Sequence, residues 1–210
     1  MTLEQAQATF KKLGYTFFEK NDFNLNIVAI RENQNFENTF SDTLLVFYKE
    51  QGEWKTLKTK WTTLAGTLGF GGEQNPLNGV QTGTGVNGVA IIQPGQYRRV
   101  FKFIDNYWQW LGYPYFQQIT TMHYWRDNNR DGKVTKSKTY IGNYATNLHR
   151  MSNNSDFSNT VNSQYVAWSQ GCNGSPEPEF KKLVELVRKA VKIHGDVFSY
   201  TILENTQISL

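Results

Sequence analysis

With 210 residues, 39% hydrophobic and 15% aromatic against 19% charged, the chain has the composition of a single folded domain with a sizeable core and not of a disordered segment. The net charge of +4 and pI near 9.0 come from scattered basic residues, with Lys55, Lys58 and Lys60 the nearest to a cluster. This suits an anionic neighbourhood such as a cell wall and excludes a nucleic-acid-binding stripe, and a lone cysteine excludes an internal disulfide framework.

Thr2 and Gln5 form a capping-box pattern, and Leu3, Ala6, Phe10 and Leu13 share one helical face before Gly14, so a short amphipathic helix is predicted over residues 3–13. The opening Met1-Thr2-Leu3-Glu4-Gln5 lacks the order of a secretory signal. The expectation is therefore synthesis in the cytoplasm, with another machine needed for delivery to the wall. β-Branched and aromatic residues predict strands over 25–31 and 43–48, and Glu50-Gln51-Gly52-Glu53 turns the second into a return strand over 54–61.

Residues 62–88 are glycine-rich and read as a long loop. Gly83, Gly85 and Gly88 match a dinucleotide fingerprint by letters, but a strand and turn, Val89 to Gly95, follow where the fingerprint needs a helix. Val89–Ile92, one of the longest apolar runs, is far too short to span a membrane. A strand is predicted over 96–104. An aromatic insertion over 105–118 follows, rich in Tyr and Trp, which suits either sugar and partner contacts or covering of the core.

Between predicted strands at 120–126 and 134–140, Asp127, Asn129 and Asp131 with Gly132 form the opening half of a calcium loop. Position twelve is Lys138 and not glutamate, and a polar hairpin accounts for the same letters. Ca2+ at Asp127, Asn129 and Asp131 is the one metal expectation, and no cofactor is required. Pro176 to His194 carries apolar residues on one face, acids in its first turn and basic residues near its end, predicting an amphipathic helix stopped by Gly195. Phe198 to Leu203 closes the chain as a strand. The whole reads as one mainly β (α+β) domain over residues 1–210, with a helix towards each end.

The chemistry concentrates in Trp168-Ser169-Gln170-Gly171-Cys172-Asn173 and, twenty-three positions before the cysteine, in Asn147-Leu148-His149-Arg150. A thiol becomes a nucleophile when a base or cation stabilises its thiolate, and histidine is the usual supplier. Cys172 is the candidate nucleophile and His149 its base. Gly171 permits a sharp turn, with the Gly171 and Cys172 amides as oxyanion donors, and Ser169 supports that turn. Trp168, Gln170, Asn173, Asn147 and Arg150 are the candidate substrate contacts. A zinc site is not expected from one cysteine and three dispersed histidines, at 123, 149 and 194.

His149, a nineteen-residue gap and Ser169-Gln170-Gly171-Cys172-Asn173 resemble the L,D-transpeptidase signature, and much of the rest of the chain resembles a divergent branch of such proteins in bacteria and their phages. The resemblance implies a mainly β sandwich or barrel and a cysteine acyl-enzyme acting on peptidoglycan stem peptides. By resemblance, Cys172 is the nucleophile, His149 the base, and Ser169 and Gly171 lie in the supporting turn. Gln170 stands where the family has histidine, which bears on substrate positioning. Two readings follow. One is a peptidoglycan enzyme, with cleavage favoured over cross-linking, carried on a phage tail or injection device and touching other proteins of that machine. The other is a catalytically silent structural part of a tail or baseplate.

Overall fold

The computed structural model describes residues 1–32, 40–64, 89–105, 113–128, 133, 134, 136, 138–151 and 171–209. Helix α1 (Leu3–Leu13) matches its predicted bounds because both ends are capped locally. The Thr2 hydroxyl accepts from the Gln5 N–H at 3.2 Å, the Gln5 side chain accepts from the Thr2 N–H at 2.9 Å, and Gly14 closes the helix at φ +71°. Helix α2 (Glu177–His194) starts at a proline and ends at Gly195.

The strands are β1 (Asn26–Arg31), β2 (Asp42–Glu50), β3 (Glu53–Trp61), β4 (Ala90–Ile92), β5 (Gly95–Ile104), β6 (Tyr115–Gln118), β7 (Met122–Arg126), β8 (Tyr140–Gly142), β9 (Leu148–Arg150), β10 (Asn173–Ser175) and β11 (Val197–Glu204). Eight of them form one sheet in the order β10-β9-β6-β5-β11-β1-β2-β3, and β4-β7-β8 form a second. Thr62, just beyond β3, exchanges two backbone hydrogen bonds with Gly174 of β10, at 2.7 and 3.0 Å. The two edges of the large sheet thereby meet, and the sheet is a nearly closed barrel. The expected mainly β architecture with two helices is the one the chain adopts.

Both faces of the sheet's centre are covered. Helix α1 lays Ala6 and Phe10 on Val28, Ile30, Leu45, Phe47 and Leu203. The opposite face, with Ile27, Ala29, Leu44, Val46 and Ile202, joins a core that includes Phe180, Leu183 and Val187 of α2. All six residues of β1 are therefore buried, and its sequence is nearly continuously apolar instead of alternating. Arg31, 1% exposed, ties the two sheets together. Its Nε donates to Thr63 Oγ1 at 2.9 Å and its Nη2 to the Ile92 carbonyl at 2.8 Å, while Asp42 accepts from the Thr63 N–H and hydroxyl at 2.7 and 2.6 Å. Satisfying buried polar groups in this way fixes where β4 sits on the barrel.

Two predicted segments are corrected. The strand expected over 134–140 lies at Tyr140–Gly142 instead, because Lys136, Lys138 and Thr139 are exposed and pairing with β7 begins only at Tyr140. Within the 105–118 segment, Tyr115–Gln118 is a strand between β5 and β9, with Tyr115 and Phe116 in the core. It has only four residues, of which Gln117 alone is exposed, too few for a period-two signal to mark it. Most of the glycine-rich stretch, residues 65–88, lies outside the described residues, including Gly83, Gly85 and Gly88. No helix among the described residues is long and apolar enough to cross a membrane.

Candidate active site

The two sequence motifs meet because β9 and β10 run parallel, with Leu148 opposite Asn173, His149 opposite Gly174 and Arg150 opposite Ser175. This register sets Asn147 beside Cys172 at the entrances to the two strands. Gly174 is what allows it. A Cβ there would fall on the His149 backbone carbonyl and lie 2.8 Å from Met151 Cγ. Gly171 meets the small sheet in the same fashion, at φ +144° and with the position of a Cβ only 2.6 Å from the Ala90 carbonyl oxygen. The turn before Cys172 was expected to need glycine, and both backbone angle and space require it.

Around the sulfur, the Asn147 N–H donates to Cys172 Sγ at 3.2 Å, and the thiol faces the Ala145 carbonyl at 3.7 Å. Cys172 is partly exposed, whereas His149 is 7% exposed. His149 Nδ1 lies 2.6 Å from the carbonyl oxygen of Arg150. A carbonyl only accepts, so Nδ1 carries the hydrogen and Nε2 is the basic nitrogen of the neutral ring. Cys172 is the neighbour that most raises the imidazole's affinity for a proton, and with Nδ1 committed to the Arg150 carbonyl the nitrogen left to act on the thiol is Nε2. The pair therefore has the tautomer that general-base chemistry at sulfur requires.

Burial is the largest influence on His149 and opposes its charge. The hydrogen bond to Cys172, the charge of a Cys172 thiolate and the bond to the Arg150 carbonyl outweigh it, against some opposition from the Arg150 guanidinium. The net direction is upward, towards an imidazolium paired with a thiolate.

Tyr113 and Arg150 back the imidazole. The Tyr113 hydroxyl is 3.3 Å from Nδ1 and 3.4 Å from the Arg150 carbonyl, so it sits at the hydrogen bond that fixes the tautomer. Burial pushes this phenol up to about 12, with the Arg150 charge opposing, which keeps it neutral. The Arg150 guanidinium lies 4.1 Å from the Tyr113 ring centroid and pairs with Glu177 at 2.9 Å. Tyr113, Arg150 and Glu177 also border a cavity of about 230 Å3 between Pro114 and the α2 face. Tyr113→Phe is expected to leave the fold intact and slow Cys172 alkylation by about threefold to tenfold, the loss of one modest hydrogen bond. Iodoacetamide kinetics across pH check this, and a profile identical to that of the wild type contradicts the role.

A buried network positions the segment that faces the sulfur. Gln118 Oε1 accepts from the Thr146 N–H and hydroxyl, both at 3.0 Å, and Thr146 Oγ1 lies 2.6 Å from the Tyr124 hydroxyl. The Gln118 N–H donates to Asn147 Oδ1 at 3.0 Å. These bonds hold Ala145 at φ +54°, an uncommon angle for a residue with a side chain.

Two expected substrate contacts have other duties. Asn173 is fully buried. Its Oδ1 accepts from the Tyr200 hydroxyl and its Nδ2 donates to the Thr63 carbonyl, so its side chain secures the barrel. Asn147 spends its side chain on Gln118 and contributes its backbone N–H to the sulfur. Arg150 stays partly exposed beside the cavity. Trp168, Ser169 and Gln170 lie outside the described residues, as do Asn129 and Asp131 of the calcium-like loop. Asp127 is buried and its N–H donates to the Val89 carbonyl, and no group of three or more potential metal-binding side chains occurs among the described residues.

Sequence reasoning missed Tyr113, Gln118 and Gly174. Only Gly174 left a local signal, as a second glycine two places after the cysteine. Comparison with protein-family models, with curated proteins and with solved structures returned no match.

Proposed function

We propose that the protein is a cysteine-dependent enzyme of the L,D-transpeptidase kind, acting on peptidoglycan stem peptides, with cleavage favoured over cross-linking. The observation that carries this reading is the buried His149, its Nδ1–H committed to the Arg150 carbonyl so that Nε2 is the basic nitrogen, with Cys172 raising its affinity for a proton.

In the proposed reaction, His149 takes the thiol proton and the sulfur attacks a peptide carbonyl carbon, placing negative charge on its oxygen. Backbone amides of the Gly171–Cys172 turn stabilise that oxyanion. The carbonyl re-forms as the C–N bond breaks, and His149 returns the proton to the departing amine. The product is a thioester on Cys172. Water attacks it with His149 again as base, releasing a carboxylic acid and restoring the thiol, whereas an amine would give a cross-link. The cavity beside Tyr113 and Arg150 is lined by neither His149 nor Cys172, and in this proposal it takes a flanking part of the peptide, offering it room and mixed charge. Delivery to the wall on a phage tail or injection device is part of the proposal.

Incubation with purified muropeptides, followed by mass spectrometry, tests it. Wild type is expected to release shortened stems and to show a transient acyl adduct on the peptide containing Cys172. Cys172→Ala is expected to give neither while remaining folded. Product formation by Cys172→Ala would refute the mechanism.

A further inference from the structure

A second cavity, of about 200 Å3, opens where β5 and β11 pair beside the segment that leads into β1, and it shares no residue with the cysteine site. Phe18, Phe23 and Phe198 give it an aromatic lining, and Arg98, Arg99 and Ser199, with Asn24 and His194, are among its polar groups. The arginines are both exposed because the β5–β11 register shifts between Phe198 and Tyr200. In a regular strand, consecutive side chains point to opposite faces, and the bulge turns both towards solvent.

This arrangement is strained. Among the described residues, five non-glycine residues have positive φ, and two of them, Phe23 at +55° and Arg99 at +50°, line this one cavity. Side chains at such angles cost stability, and they persist where surrounding structure enforces them. Here the Arg99 N–H donates to Ser199 Oγ at 3.0 Å and the Phe23 N–H to the Lys49 carbonyl at 2.9 Å. A glycine at position 99 would make the same turn without strain, so the guanidinium is what the strain retains.

The electrostatics are one-sided. No carboxylate lines the cavity among the described residues, and neither arginine forms an ion pair there. Asp22 is near in sequence, but its two carboxylate oxygens accept from the Gln51 and Gly52 N–H groups. Arg98 lies over Phe18, 5.7 Å from the ring centroid, which holds one guanidinium at the aromatic wall. His194 also lines the cavity, with Nε2–H donating to the Asp22 carbonyl at 2.8 Å.

We propose that this cavity binds a small organic carboxylate, its apolar body against the three phenylalanines and its carboxylate on Arg98 and Arg99. Planar guanidinium groups match a carboxylate in two-point hydrogen bonds, and the volume suits a ligand about the size of one substituted ring.

The test is titration of the isotope-labelled protein with 3-phenylpropionate, followed by amide chemical shifts. The controls are acetate, which has the charge alone, and 3-phenylpropanol, which has the body alone. The expected result is saturable shifts at Arg99, Phe198 and Ser199 with 3-phenylpropionate and much weaker responses to either control. Arg99→Gly is expected to weaken binding by about tenfold, as for loss of a charge-assisted contact, while melting at or above the wild-type temperature. The melting measurement separates loss of the ligand group from loss of fold. Absence of saturable shifts, an equal response to 3-phenylpropanol, or unchanged affinity in both Arg99→Gly and Arg98→Gln would overturn the proposal.

Discussion

His149→Ala is expected to lower turnover of stem peptides by about 10³-fold, the scale of a lost general base. It should also slow iodoacetamide alkylation of Cys172 at mildly acid pH, because the imidazolium partner of the thiolate is gone. Alkylation needs no peptidoglycan, so it probes the pair even if the substrate is another acyl compound. Equal alkylation by variant and wild type across pH would remove His149 from the site. The pair also has a predicted signature in stability. The folded state raises the histidine's affinity for a proton despite burial, which opposes it. Its contribution is therefore present in full below the ordinary imidazole value of about 6.5 and fades as pH rises through the higher folded value. Denaturation midpoints of wild type and His149→Ala should converge with rising pH over that window.

Gly174→Ala is expected to destabilise the protein by about 3 kcal/mol or more, at the upper end of overpacking effects. The added carbon would fall on the His149 carbonyl, which belongs to the strand backbone and cannot rotate away. Because Gly174 also makes the two bonds that close the barrel onto Thr62, relief by moving β10 would open that seam. Urea unfolding measures the loss, and an unchanged midpoint would contradict the packing. Any Gly174→Ala protein that stays folded should react slowly at Cys172, since displacing β9 from β10 separates imidazole from sulfur.

What could be read from the sequence depended on how local the determinants were. Helix α1 was legible to the residue because Thr2, Gln5 and Gly14 cap it through bonds spanning three or four positions. The hairpin of β2 and β3 was legible for a similar reason, since Gln51 and Gly52 turn it at positive φ. Strands β9 and β10 carry the site yet have only three residues each, too few for any period to emerge. Their pairing is set by contacts far along the chain, such as Gly174 with Thr62 and Asn173 with Tyr200.

At the site, residue chemistry pointed to Cys172, His149 and Gly171, and the β9–β10 register brings the segments that carry them together. Residue chemistry also placed Asn147 and Asn173 at the substrate, whereas their side chains bond Gln118, Thr63 and Tyr200, because side-chain polarity does not reveal whether an amide faces a ligand or a buried partner. Tyr113 and Gln118 could not be read, because their roles come from where β6 and the residues before it lie against β9.

The single bridge between Thr62 and Gly174 has a consequence for the order of assembly. It joins residues 112 positions apart (174 minus 62), and the β9–β10 pair beside it links segments more than twenty residues distant. Contacts so remote in sequence carry a large chain-closure cost and form late. Until they form, Cys172 has neither the Asn147 N–H nor the imidazole beside it and reacts like an ordinary cysteine. If the proposed pair activates the thiol, reactivity above that of an ordinary cysteine would report that the barrel has closed.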